Sequence, residues 1–136
     1  MLYVALAPET AVAELRRRAA QLGVPLAQLA PRAMLTLAVR LRRVLDLGDA
    51  DVRAEWGLDE AALGADDHAR CQEVALAARE DGYEAIRYPS AAHGPGEPSG
   101  DNLAIFADRL HPGSDVRVMR SEPLRLDDAD DADDAR

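Results

Sequence analysis

Short apolar runs rich in strand-forming residues alternate with helical segments along this sequence, and this alternation limits the possible folds most strongly. Residues 2–6 form the first run, which ends before Pro8 because proline withdraws a backbone donor. From Pro8 to Gly23 the apolar residues follow helical spacing, with proline in the first turn and glycine as the stop. The sequence therefore opens with a predicted buried strand followed by a helix.

The rest of the chain continues the same alternation. Apolar and polar side chains alternate with a period of two over residues 35–42, which favours a strand within 32–47. Further strands are predicted at 84–88, 102–106 and 116–119, and further helices near 50–55 and from Asp66 or Asp67 to Gly82. Trp56 is expected to fill the core. The predicted fold class is α+β, a small mixed β-sheet core with packed helices.

The chain length and its acidic end define the domain organisation. With 136 residues and 14.7 kDa, the chain suits one compact domain. Residues 127–136 contain six Asp and one Arg and no apolar face, which predicts a disordered acidic tail. The expected division is a domain over 1–126 and a tail over 127–136.

The charge and cysteine content exclude several function classes. The formal net charge is −9, of which −5 lies in residues 127–136 and −4 in the rest, so a basic face for nucleic-acid phosphates is not expected. Cys71 is the only cysteine, which excludes an internal disulfide and fits a reducing compartment. The sequence contains neither an apolar run long enough for a membrane span nor a signal-peptide pattern. We expect a cytoplasmic protein that binds neither nucleic acid nor membranes.

Two clusters that suggest phosphate binding have more ordinary interpretations. Residues 16–18 are three consecutive arginines towards the end of the first helix, where a solvated face matched to the helix dipole is favoured over a phosphate clamp. Residues 91–101 are rich in Gly and Pro but lack the spacing of a dinucleotide fingerprint. Neither cluster is a candidate site from sequence alone.

Two constellations of reactive side chains are also weak. Ser90, His93 and Asp101 form a conceivable nucleophilic triad, but no strained, glycine-flanked turn surrounds the serine. His68 and Cys71 share one predicted helical face, but two ligands without partners do not make a metal site. No metal is expected.

Glu14 has two interpretations that spacing alone leaves open. An exposed helical glutamate paired with Arg17 or Arg18 is the ordinary one. The other makes it a functional carboxylate on a helix that directly follows a strand. Ser90 and Asn102 flank the 91–101 loop, where binding groups tend to be displayed, although by composition they are turn residues.

Several segments, taken in order, resemble the RES domain family, which is named for an arginine, a glutamate and a serine. The matching segments are residues 2–5, 8–11, 13–14, 43–47, 82–83, 88–91 and 102–106. This resemblance implies that Glu14 is the family glutamate and Ser90 the family serine. It implies a core similar to that of ADP-ribosyltransferases.

Family members are typically toxins of bacterial toxin-antitoxin pairs that destroy NAD or transfer its ADP-ribose. The resemblance thus implies NAD as substrate, a cognate antitoxin as partner and a carboxylate, Glu14, that stabilises the oxocarbenium character of the ribose. Ser90 would orient the ribose or the nicotinamide, Tyr3 would pack against the nicotinamide ring, and Asn102 would fix the loop.

The resemblance also places the family arginine upstream of Tyr3, where this sequence starts. The expectation is a start assigned too late or a shortened copy with weak or absent NAD cleavage. The rival hypothesis is a non-catalytic interaction module, in which Glu14 is a surface residue and the acidic tail attracts a basic partner or maintains solubility.

Overall fold

A computed structural model describes residues 1–29, 33–58, 69–90 and 100–124 of the chain. The elements in chain order are β1 (Leu2–Ala5), α1 (Pro8–Leu22), α2 (Leu26–Leu29), β2 (Ala33–Arg40), β3 (Val44–Asp46), α3 (Ala50–Glu55), α4 (Ala69–Glu80), β4 (Ala85–Pro89), β5 (Asp101–Ile105), a short 3-10 helix (Ala107–Arg109) and β6 (Asp115–Pro123). Helices and strands are intermixed, so the predicted α+β class is confirmed.

The strands form two sheets. The larger sheet has the order β1-β5-β4-β3, in which β5 pairs antiparallel with both neighbours and β3 pairs parallel with β4. The parallel pair is joined by the long crossover that contains α3 and α4, because parallel neighbours cannot be connected by a tight turn. The smaller sheet is the antiparallel pair of β2 and β6.

Each face of the larger sheet carries its own apolar cluster. On one face Ile86 and Phe106 pack with α4 and with the segment around Trp56, which lies edge-on to Tyr83 at 6.1 Å between ring centroids. The other face carries Ala85, Leu103 and Ile105, against which Val4, Leu41, Leu110 and Val116 pack. Side chains alternate between the two faces along each strand of the larger sheet, so successive residues of one strand face different clusters.

Helix α1 begins and ends at the residues that its sequence predicts. Pro8 occupies the first turn, where its missing N–H costs nothing. Gly23 adopts the left-handed conformation (φ 67°), and the N–H groups of Gly23 and Val24 donate to Ala20 and Ala19. This pair of bonds satisfies the last carbonyls of the helix in a Schellman motif.

Two sequence predictions about strands are corrected by the structure. Strand β1 is not buried: it is an edge strand, and Leu2 and Tyr3 are 37% and 66% exposed. In β2 the register shifts between Thr36 and Leu37, and this irregularity interrupts the period-two pattern. Leu35 is consequently 54% exposed although it belongs to the apolar set.

Glu84, just before β4, is a fully buried carboxylate that ties three chain segments together. Its Oε1 accepts the amides of Arg42 (2.7 Å) and Arg43 (2.9 Å), and its Oε2 accepts the amide of His111 (2.8 Å). Burial by itself would raise the pKa of Glu84, but the hydrogen bonds from these three amides oppose burial, and the pKa is lowered to about 2. The glutamate therefore stays ionised inside the domain.

Some sequence predictions concern residues outside the described ranges, namely the start of α4 at Asp66 or Asp67, most of the 91–101 loop, and the tail over 127–136. Among the described helices, none has the length and apolar character needed to cross a membrane.

Candidate functional site

The turn between β1 and α1 places Glu14 over one face of the larger sheet. The amide of Leu6 donates to the carbonyl of Asp101 (3.0 Å), so the chain leaves the sheet beside the start of β5. The next residue of β5 is Asn102, whose Cα pairs with Ala5 on one side and Tyr88 on the other. Helix α1 lies on the face to which Asn102 points.

Glu14, Ser90 and Asn102 meet at one carboxylate oxygen. The Nδ2 of Asn102 donates to Oε1 of Glu14 at 2.7 Å, and the Oγ of Ser90 donates to the same Oε1. Both donors are buried, with Asn102 7% and Ser90 8% exposed. The Ser90 amide in turn donates to the carbonyl of Gly100 (2.7 Å), which fixes the serine beside the start of β5.

This arrangement does not match the interpretation of Glu14 as an exposed helical glutamate. Its carboxylate is held by two buried donors on other elements instead of projecting from a solvated helix face. Neither donor occupies Oε2. Residues separated by 76 and 88 positions converge on one group, which local helical pairing does not produce.

The carboxylate lies at the wall of a cleft of about 1040 Å³. This volume is at the upper end of the range for small-molecule sites. Tyr3, on the edge strand, lines the same cleft and is 66% exposed, so its ring is available to a ligand. All four sequence-predicted site residues are close to this cleft: Tyr3, Glu14 and Asn102 line it, and Ser90 binds Glu14.

The described part of the cleft lining carries both positive and negative side chains, although the chain as a whole is acidic. Its charged lining consists of Arg17, Arg18 and Arg79 against Glu14 and Asp108. Arg79 forms an ion pair with Asp108 at the rim. Helix α1 thus contributes two arginines, Arg17 and Arg18, to the described cleft lining.

Sequence reasoning missed the contribution of Arg17 and Arg18. They lie before the last turn of α1, where no basic residue is found, so the helix dipole does not explain them. The signal was present in the spacing, because residues three and four positions after Glu14 share its helix face. Arg16, by contrast, does not line the cleft.

The two weaker constellations gain no support from the described residues. Asp101 accepts the Nε (2.9 Å) and Nη2 (2.6 Å) of Arg87, and its partner in the imagined triad, His93, lies outside the described ranges. Within those ranges no three His, Cys, Asp or Glu side chains cluster as metal ligands, and His68 is again outside them.

Comparison with known proteins agrees with the fold. The sequence-family model of the RES domain matches residues 1–127 of this chain. Over 86 residues the chain is 37% identical to a probable NAD(+) phosphorylase of Mycobacterium tuberculosis, an alignment that covers 63% of this chain and 37% of that protein. A chain in the crystal structure of the M. tuberculosis MbcT-MbcA toxin-antitoxin complex has a similar fold, with a TM-score of 0.73 and 24% sequence identity. The match covers 90% of this chain and 65% of that chain. This chain thus spans between about one third and two thirds of the length of these relatives.

Proposed function

Since this chain belongs to the RES domain family, we propose that it binds NAD and cleaves the bond between nicotinamide and ribose. The observation that carries the proposal is the Glu14 carboxylate, fixed by Ser90 and Asn102 at the wall of a cleft of about 1040 Å³. The relative that is a probable NAD(+) phosphorylase supports the choice of substrate.

The proposed reaction uses a carboxylate because positive charge develops on the sugar. When the glycosidic bond breaks, nicotinamide leaves with the bonding electron pair and the ribose carbon becomes oxocarbenium-like. A carboxylate that is already aimed at this carbon stabilises the charge without reorganisation. We assign this role to Glu14, with Oε2 directed to the ribose because both protein donors bind Oε1.

Ser90 and Asn102 act as positioning residues in this proposal. Each fixes the rotamer of Glu14 through a hydrogen bond, and such preorganisation is what a carboxylate needs to act electrostatically. Tyr3 lines the same cleft from the exposed edge strand, so its ring supplies a surface on which the flat nicotinamide can pack.

The second product depends on the acceptor that attacks the ribose carbon. Water gives ADP-ribose, inorganic phosphate gives phosphorylated ADP-ribose, and a protein side chain gives an ADP-ribosylated protein. The name of the phosphorylase relative favours phosphate, so we propose phosphate as the acceptor to be tested against water.

An antitoxin protein is the proposed macromolecular partner. A solved chain with a similar fold comes from the toxin-antitoxin complex of M. tuberculosis, and this similarity supports the proposed partner. The rival function, a non-catalytic interaction module, predicts instead that the Glu14 cleft binds no dinucleotide.

The test compares nicotinamide release from NAD by the parent chain and by the Glu14→Gln variant, with and without phosphate. Gln preserves the shape and one oxygen but removes the charge, so release is expected to fall by about a hundredfold or more while NAD still binds in a calorimetric titration. Ser90→Ala and Asn102→Ala are expected to lower release to a smaller extent.

The matched control is Glu9→Gln, which changes another glutamate of α1 that does not line the cleft. It should leave release unchanged. Equal rates for the parent and Glu14→Gln would contradict the role of Glu14. A parent that binds NAD without releasing nicotinamide would contradict cleavage, and one that does not bind NAD would favour the interaction module.

A further inference from the structure

A second cavity adjoins the cleft at α1. It has a volume of about 430 Å³ and lies between α1, the start of β2 and Leu124, the residue after β6. Glu14, Arg17 and Arg18 line both cavities. The two α1 arginines therefore stand where one cavity passes into the other.

The two cavities differ in their chemistry. Beyond the shared residues, the described lining of the smaller cavity is mostly apolar: Ala11, Val12, Leu15, Ala33, Met34 and Leu124, with Gln21 as the added polar side chain. The larger cavity contains the Glu14 carboxylate with its hydrogen-bonded donors and the ring of Tyr3. The smaller cavity is thus suited to a flat, weakly polar group, and the larger cavity is suited to a sugar.

We propose that the smaller cavity is the adenosine subsite, with Arg17 and Arg18 binding the pyrophosphate between the two halves of the dinucleotide. This inference rests on the proposed function, because it takes NAD as the ligand. The dinucleotide lies across α1: nicotinamide riboside in the larger cavity and adenosine in the smaller one.

Charge and size both support this placement. Pyrophosphate carries two negative charges, and guanidinium groups bind phosphate oxygens through charge-assisted bonds. Arg17 and Arg18 line both cavities, so their guanidinium groups lie where the pyrophosphate between the two halves of the dinucleotide must cross. A volume of about 430 Å³ lies within the usual range for small-molecule sites and holds a nucleoside.

Gln21 allows the smaller cavity to be filled without disturbing Glu14. It is exposed, lines the smaller cavity and does not line the larger one. Ala20, its neighbour on α1, is exposed and lines neither cavity. Gln21→Trp and Ala20→Trp therefore introduce the same bulky side chain on the same helix, and only the first obstructs the proposed subsite.

The experiment is a calorimetric titration with ADP-ribose, which has the pyrophosphate and the adenosine but no nicotinamide. Gln21→Trp is expected to weaken ADP-ribose binding by about tenfold or more, and Ala20→Trp is expected to leave it unchanged. The double variant Arg17→Gln/Arg18→Gln should weaken binding by about tenfold to a hundredfold, the range for losing charge-assisted bonds. Arg117→Gln, an exposed arginine of β6 that lines neither cavity, should not change it.

Unchanged binding in both Gln21→Trp and the double arginine variant would overturn the inference, as would a parent chain that does not bind ADP-ribose. Thermal melts of all four variants show whether each is folded, so a loss of binding by an unfolded variant is not counted. The substrate nicotinamide riboside, which has neither phosphate nor adenosine, provides a second readout, because its cleavage should be insensitive to Gln21→Trp.

The failure of this inference is distinguishable from failure of the proposed function. If Glu14→Gln abolishes nicotinamide release but ADP-ribose binding ignores Gln21→Trp, the catalytic proposal survives and the subsite does not. If ADP-ribose binding responds to Gln21→Trp but release is independent of Glu14, the subsite survives and the catalytic role does not.

Discussion

Replacing Glu84 by Gln tests whether a buried carboxylate holds this fold together. The variant keeps the size of the side chain but loses the charge. Its new amide group also places an N–H donor beside one of the backbone amides of Arg42, Arg43 or His111, all of which need an acceptor. A buried amide left without its acceptor costs free energy in addition to the lost charge.

The magnitude of the effect follows from the pKa of Glu84. Its fall from 4.5 to about 2 corresponds to about 3 kcal/mol of unfolding free energy at neutral pH. The side chain is fully excluded from solvent, and this net value already includes the cost of burying the charge. We therefore expect Glu84→Gln to lower the free energy of unfolding by about 2–3 kcal/mol at pH 7.

The pH dependence gives the sharper test. Because folding lowers the pKa of Glu84, its contribution is fully present above about pH 4.5 and is lost as the pH falls towards 2. The difference in stability between the parent and Glu84→Gln should therefore shrink over this interval.

Urea unfolding followed by the fluorescence of Trp56, the single tryptophan, measures this difference at each pH. Glu122→Gln is the control, because Glu122 is exposed and paired with Arg120 at the surface, and it should change stability by less than about 0.5 kcal/mol. A difference for Glu84→Gln that is no larger than the control, or that stays constant from pH 7 to pH 2, would refute the reasoning.

Two further predictions concern packing and the chain end. Ile105→Ala removes a fully buried side chain from the cluster opposite the cleft and should lower the free energy of unfolding in urea by about 2–5 kcal/mol. Val118→Ala, at a 60% exposed position, should lower it by less than about 0.5 kcal/mol. Similar losses of stability in the two variants would mean that Ile105 does not form the core. Deleting residues 127–136, whose six Asp repel one another, should leave the melting temperature nearly unchanged, and a large decrease would show that the tail packs on the domain.

Local sequence determined most of the secondary structure, because helix and strand signals lie within a few residues of each element, although α2 and the separation of β2 from β3 were not predicted. Pro8 and Gly23 set the limits of α1, and the apolar runs at 84–88 and 102–106 became β4 and β5. The resemblance to the RES domain family identified Glu14, Ser90 and Asn102 as candidates. Their roles remain a proposal, although the structure brings the three side chains together.

Tertiary structure alone decided everything that depends on which elements are neighbours. The β1-β5-β4-β3 order places β1 at the edge of the sheet. The apolar run that the sequence predicts to be a buried strand therefore exposes Tyr3 to the cleft. The sequence indicates only that Glu84 begins a predicted strand. Its burial and its hydrogen bonds depend on the distant segments that contain Arg42 and His111. The positions of Arg17 and Arg18 between two cavities depend on β2 and Leu124 packing beside α1. Helical spacing fixes which face of α1 these arginines share with Glu14, but only the packing of distant segments determines what that face contacts.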